Sequence, residues 1–289
     1  MKRIKFVLLT ICASIGLISM NADDRWTLLL DKDLSQWETY LSYRFKPEYN
    51  GTIPKDELGN NIAPIGYNKD EAHVFSIIKV EGETVLRISG EVNGVIYTKQ
   101  EYENYHLSLK VKWGDLKFDP RKNKLKDSGI LYHSIGEAGL DYWRSWMLSQ
   151  EFQIMEGHMG DYWNQVNAAV DIRSFPAEGK MNCVANAKQP FLPFGKGNPE
   201  GFCLRAENYE SPASEWTTLE LISWQGKSLH FVNGHVVMVL QNSRYLQDGK
   251  SMPLTKGKIQ IQSEAAEVFF KDIRIRNLTA LPKMYEELF

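Results

Sequence analysis

The chain has 289 residues, 43% of them hydrophobic, and a formal net charge of −2. That is enough for one large domain with a substantial core or for two small ones, and all-β sandwiches of this size are common. Lysine and arginine interleave with aspartate and glutamate and leave no basic face, which argues against nucleic acid and for a neutral or polar partner.

Met1-Lys2-Arg3-Ile4-Lys5 leads into an apolar run over residues 6–18 that is short for a membrane span and reads as a secretory signal. The expected division is a signal over 1–22 and one exported, periplasmic domain over 23–289, with no transmembrane span once the signal is removed. Cys12 lies early in the run behind Ile11, where a lipobox wants a small side chain, so a lipoprotein is the less favoured reading. Residues 26–37 read as an edge strand and a turn that tucks Leu34 and Trp37 inward. Residues 44–72, with three prolines and three glycines and no hydrophobic period, read as a long loop.

Strand signals follow in series: Val85-Leu86-Arg87-Ile88, Gly94-Val95-Ile96-Tyr97, nine alternating residues over 105–113, and residues 128–134. After a basic tip at Lys122 to Lys126 and an aromatic stretch comes Ser149-Gln150-Glu151-Phe152-Gln153-Ile154-Met155-Glu156-Gly157-His158, the segment densest in chemistry. A short strand at Val170-Asp171-Ile172-Arg173 precedes a second long loop over 175–202. The rest is strand-rich: 217–224, then Leu229-His230-Phe231-Val232 joined through Asn233-Gly234 to 235–240, then 258–262 and 268–275 with a kink at Lys271-Asp272. Asn-Gly between apolar runs marks a type I′ hairpin, because both central positions need positive φ. Residues 281–289 suggest a short helical tail. About a dozen short strands and two long loops indicate an all-β antiparallel sandwich.

Alternation puts Glu151, Gln153 and Met155 on one face of their strand and Phe152 and Ile154 on the other. Glu156, at odd offset, joins Glu151 only through a bulge near Met155. Trp143, Trp146 and Trp163 flank the segment, and flat rings beside hydrogen-bonding carboxylates suit a sugar. His133 has an ambiguous facing: it shares a face with Gly129 and Leu131, or a local twist breaks the alternation. No His-x-x-x-His or Cys-x-x-Cys pattern appears, so no cofactor is firmly expected, and a single divalent cation held by His and Glu would have to be assembled from distant strands. Cys183 and Cys203 permit one disulfide in an oxidising compartment, or stand as two buried thiols.

The ordered set Gly94-Val95-Ile96-Tyr97, Asp127-Ser128-Gly129-Ile130-Leu131-Tyr132-His133, Glu151-Phe152-Gln153-Ile154, Glu215-Trp216, Phe231-Val232-Asn233-Gly234, Gly257-Lys258-Ile259-Gln260-Ile261-Gln262 and Ile273-Arg274-Ile275-Arg276-Asn277-Leu278 resembles the family long known as domain of unknown function 1080. That family is described as 3-keto-disaccharide hydrolase, or 3-keto-glucoside lyase and 3-keto-2-hydroxy-glucal hydratase. Asp127 and His133 stand where it commonly has Asn and Arg. The resemblance implies a concanavalin A-like jelly roll and a 3-keto glycoside substrate, cleaved by β-elimination of the aglycone, by hydration, or by both in net hydrolysis. On that basis His133 or His158 is the expected base, Glu151 its partner or the proton donor, and Glu156 a further catalytic candidate. Gln153, Tyr132, Trp143, Trp146, Trp163 and Arg173 are the expected sugar contacts. Two alternatives stay open: a laminarinase-like retaining glycosidase using Glu151 and Glu156, whose carboxyl groups would stand about 5–5.5 Å apart, and a non-catalytic lectin-like protein.

Overall fold

The structure is a computed structural model and describes residues 25–30, 32–46, 52–140 and 145–289. The expected signal and Trp143 lie outside the described residues. Two antiparallel sheets pack face to face as a concanavalin A-like jelly-roll sandwich. A nine-stranded sheet runs in the order Phe202–Cys203, Tyr162–Gln165, Leu148–Met155, Asp127–Ile135, Lys256–Ser263, Val92–Thr98, Trp37–Arg44, Gly66–Tyr67, with Tyr102–Glu103 beside Lys256–Ser263. The twelve-stranded partner is centred on Lys227–Val232, Thr217–Trp224, Tyr105–Lys117 and Ala266–Asn277.

Side-chain alternation explains the layers. Ile130, Phe152, Ile154 and Ile261 from the first sheet meet Leu107, Leu109, Leu219, Leu221 and Phe270 from the second, all buried in one cluster. Burying each of these removes roughly 1.5–3 kcal/mol of apolar exposure, so the sheet-facing set fixes where the intervening residues point. The outer face of the second sheet is partly covered by the C-terminal segment: Leu281, Tyr285, Leu288 and Phe289 pack on Ile222, Leu229 and Phe231, and residues Lys283–Leu288 form the expected tail as a 3-10 helix.

The Asn233-Gly234 hairpin forms with φ of 48° and 80°, and Asp272, at φ 54°, sits in a bulge where the last strand was expected to kink. Three readings need correction. Trp37–Arg44 is an eight-residue strand rather than a turn and the start of a loop. The two long loops hold the short strands Gly66–Tyr67, Val184–Ala185 and Phe191–Gly195. These are brief and lie at sheet margins, and Gly66 in the first and Pro193 and Gly195 in the last interrupt any period.

The interface also buries two imidazoles. His230 stacks on Phe152 with ring centroids 4.3 Å apart and accepts or donates at 3.2 Å to the Tyr132 hydroxyl, while His133 Nε2 lies 2.9 Å from Ser223 Oγ. Burial pushes His133 down to about 4 and His230 down to about 3. Both are therefore neutral when folded, whereas in the unfolded chain they protonate near pH 6.5. Below that value the unfolded state binds more protons, so stability should be complete above pH 6.5 and fall as the pH drops toward 4. The loss is up to about 1.4 kcal/mol per pH unit for each histidine. Urea midpoints measured from pH 7 to pH 4.5 should show it, with a shallower slope in His133→Asn.

Candidate carbohydrate site

The Leu148–Met155 strand lies between Tyr162–Gln165 and Asp127–Ile135, and its register sets the outer face of the sheet. Glu151 stands opposite Leu131 on one side and Trp163 on the other; Gln153 stands opposite Gly129, and Met155 opposite Asp127. Because Ile261 pairs with Ile130, Gln262 falls beside Gly129, and a further backbone bridge joins Asp127 to Glu264. Paired residues share a face, so Glu151, Gln153, Asp127, Gln262, Glu264 and Trp163 all point outward together. With Arg121, Trp146 and Gln165 they line a cavity of about 120 Å³.

The polar groups of this cavity are held but incompletely used. The Gln165 amide donates to Glu151 Oε2, and the Arg121 guanidinium bridges Asp127 Oδ2 and Glu264 Oε1, the latter at 3.0 Å. Arg121 Nε, Trp146 Nε1, Asp127 Oδ1 and the Oε1 atoms of Gln153, Gln165 and Gln262 are buried without a hydrogen-bond partner in the protein. Six of the thirteen such atoms among the described residues therefore surround one small cavity. Leaving each unsatisfied costs about 1–3 kcal/mol, so water or a polyhydroxylated ligand must supply what the protein leaves open. Burial, reinforced by the Glu264 charge and opposed by Arg121, holds the Asp127 carboxyl well above the usual carboxylate range. Trp163 is 39% exposed at the rim and rests against Phe202, with ring centroids 4.6 Å apart.

Of the residues expected from sequence, the cavity gathers Glu151, Gln153, Trp146 and Trp163. The other described ones point elsewhere. His133 adopts φ 53° at a place where its strand slips register against both neighbours, so alternation breaks and the imidazole turns into the inter-sheet core. Tyr132 faces the same core, its hydroxyl 3.0 Å from Ser228 Oγ. No bulge occurs at Met155, where pairing runs unbroken to Asp127; Glu156 lies past the strand end and lines a separate cavity with Glu210 and Trp113. The paired-carboxylate geometry with Glu151 is thus not assembled. His158 sits in the following loop with Nδ1 3.0 Å from Asp161 Oδ2, beside Arg205, and does not line the cavity. Arg173 belongs to the other sheet, where its guanidinium donates to the carbonyls of Leu288 and Gln189. Among the described residues no group of three or more His, Cys, Asp and Glu side chains is arranged to hold a metal ion.

Sequence reading passed over Arg121, Gln165, Gln262 and Glu264 and treated Asp127 only as a departure from a pattern. A signal was present for two of them. Gln260, Gln262 and Glu264 alternate with Ile259 and Ile261, and polar groups at every second position opposite buried isoleucines mark a face that water or a ligand must satisfy.

Residues 25–276 match the family model for the 3-keto-alpha-glucoside-1,2-lyase-like domain. The chain belongs to that family. Membership places it among carbohydrate-active proteins, in keeping with a cavity of hydrogen-bonding groups between tryptophans. No curated protein matches the chain. Among solved structures it is similar to a protein of Parabacteroides distasonis ATCC 8503 that carries a provisional glycosyl hydrolase name, at 18% identity and TM-score 0.45 over 88% of this chain and 94% of that one. It is also similar to the β-glucanase of Bacillus licheniformis, at 13% identity and TM-score 0.41 over 88% and 97%. A third is the carbohydrate-binding module CBM66 of Bacillus subtilis, at 7% and 0.40 over 70% and 92%.

Gly129 offers a direct test of the cavity floor. A Cβ there would collide with Gln262 Oε1 and Glu151 Oε1, the far ends of two side chains, so the backbone can stay while both groups move. Gly129→Ala should cost no more than about 1–3 kcal/mol in stability yet weaken carbohydrate binding at least tenfold. Thermal unfolding and calorimetric titration on the same preparation separate the two effects.

Proposed function

We propose that this protein cleaves glycosides carrying a ketone at C3, by β-elimination of the C1 aglycone, with subsequent addition of water giving net hydrolysis. The observation that carries the reading is Glu151 set among unpartnered amide oxygens between Trp146 and Trp163, in a chain of this family. The ketone acidifies the hydrogen at C2. Glu151, its other oxygen held by Gln165, takes that proton; the C–H electrons form the C1–C2 double bond as the C1–O bond breaks. The departing oxygen needs a proton, and Asp127, whose carboxyl burial pushes well above the usual carboxylate range, supplies it. Arg121 Nε and Trp146 Nε1 are donors for the negative charge that builds on the C3 oxygen.

The roles differ from those expected of His133 and His158, since neither imidazole lines the cavity. Glu151 and Asp127 approach from opposite ends: Met155, which Asp127 opposes, is four residues from Glu151, about 13 Å along a strand rising roughly 3.3 Å per residue. Both side chains nevertheless line the same cavity, so the two carboxyl groups face one bound ring.

Incubation with a 3-keto glycoside and with its unoxidised parent tests the proposal. Turnover of the ketone alone is expected; turnover of the parent points to a glycosidase, and binding without turnover to a lectin-like protein. Glu151→Gln should keep the fold and lose roughly two to four orders of magnitude in kcat. Glu156→Gln and His158→Ala should stay near wild type, and a comparable loss in either would overturn the assignment.

We also read residues 6–18 as an export signal and the mature protein as periplasmic, supported by the basic start and the short apolar run. Intact-mass spectrometry of protein from its native host should find a chain that begins near residue 23; retention of Met1 would refute this.

A further inference from the structure

Cys183 and Cys203 lie apart from the candidate site's chemistry, and both are buried thiols. Their backbones are neighbours by construction. Val184 and Leu204 form a parallel bridge, with Leu204 N donating to Cys183 O at 2.9 Å and Ala185 N donating to Leu204 O at 2.8 Å. The two cysteines are therefore the preceding residues of a matched pair, about 4.8 Å apart at ordinary strand spacing. A disulfide requires Cα atoms roughly 4.4–6.8 Å apart. Their side chains turn to the same side: both belong to one apolar cluster with Tyr162, Ala185 and Phe194, and Cys203 Sγ reaches Cys183 O at 3.6 Å.

We propose that Cys183 and Cys203 are a modification site that closes as an intramolecular disulfide when the protein meets a small-molecule disulfide oxidant. The step is two successive exchanges. The Cys183 thiolate attacks the oxidant, breaking its S–S bond and releasing one thiol; Cys203 then attacks the mixed disulfide and releases the second. Two protein thiols lose two electrons and two protons, and the oxidant's disulfide becomes two thiols. Cys183 acts first because it retains slight exposure, whereas Cys203 is fully enclosed. Glu200 restrains the reaction. Its carboxylate lies 3.5 Å from Cys183 Sγ, and burial together with that charge pushes the thiol up, lowering the thiolate fraction that reacts.

The bond would tie down the segment that carries Phe191–Gly195 and would anchor Phe202, whose ring supports Trp163 at the cavity rim. The proposal is independent of the carbohydrate reading, because no residue in it takes part in the proposed chemistry.

The test uses the folded full-length protein carrying Cys12→Ser, so that Cys183 and Cys203 are its two remaining thiols, incubated with oxidised glutathione. Non-reducing peptide mapping should find the 183–203 cross-link, the intact mass should fall by two hydrogens, and thiol titration in denaturant should lose both Cys183 and Cys203. Cys203→Ser should instead accumulate a stable glutathione adduct on Cys183. Glu200→Gln should speed the first exchange several-fold. Thermal unfolding of the oxidised form should rise by several degrees. Persistence of both free thiols in that parent protein, or a glutathione adduct on Cys183 that Cys203 never displaces, would overturn the proposal.

Discussion

The candidate site depends on one constraint, the two-residue pleat of the Leu148–Met155 strand clamped between two neighbours. Phe152 and Ile154 fill the space between the sheets, so Glu151 and Gln153 have only the outer face to occupy. A slip of one residue would bury a carboxylate in the apolar layer, at a cost far above that of losing any single contact. The same pleat in the strands on either side brings Gly129 and Gln262 alongside. Glycine is needed at the centre because the carboxylate and the amide converge on the position where a side chain would stand.

Where the pleat is interrupted, the chemistry changes hands. His133 would have joined the outer face had alternation continued, but its left-handed backbone moves it to the inner one, where burial keeps it neutral. An imidazole in that setting contributes hydrogen bonding and packing, not proton transfer to a ligand outside the sheet. On the outer face, Asp127 stands beside Glu264 with Arg121 between them, and burial together with the Glu264 charge pushes the Asp127 carboxyl up while Arg121 opposes it.

Much of the fold was legible from local signals. The alternating run over residues 105–113, the Asn233-Gly234 turn and the polar–apolar pattern of Glu151 to Ile154 each carry their conformation in a few residues. The Glu81-Gly82, Gln225-Gly226 and Asp248-Gly249 turns repeat the Asn233-Gly234 geometry, with positive φ at both positions; glutamate and glutamine are weaker turn formers than asparagine, whereas Asp248-Gly249 carries as strong a local signal as Asn233-Gly234. What sequence could not supply was register between distant strands. Nothing local tells that Gln262 falls beside Gly129, that Glu264 bridges to Asp127, or that a bulge at His133 inverts its neighbour pattern. Glu156 and His158 were grouped with Glu151 through nearness in the chain, yet a strand that ends at Met155 carries them past the rim.

The cavity's lining has an uneven origin along the chain. Arg121, Asp127, Trp146, Glu151, Gln153, Trp163 and Gln165 come from one continuous stretch that folds as adjacent strands, while Gln262 and Glu264 arrive from a strand made much later. During synthesis from the N-terminus the early stretch can pair with itself, but its open edge, Asp127–Ile135, waits for Lys256–Ser263. Until that strand emerges, Asp127 lacks its acidic neighbour and Gly129 lacks the amide that leans over it. A nascent or C-terminally truncated chain thus carries Glu151 and the tryptophans without an enclosed site, so binding competence is gained only once most of the polypeptide has been made.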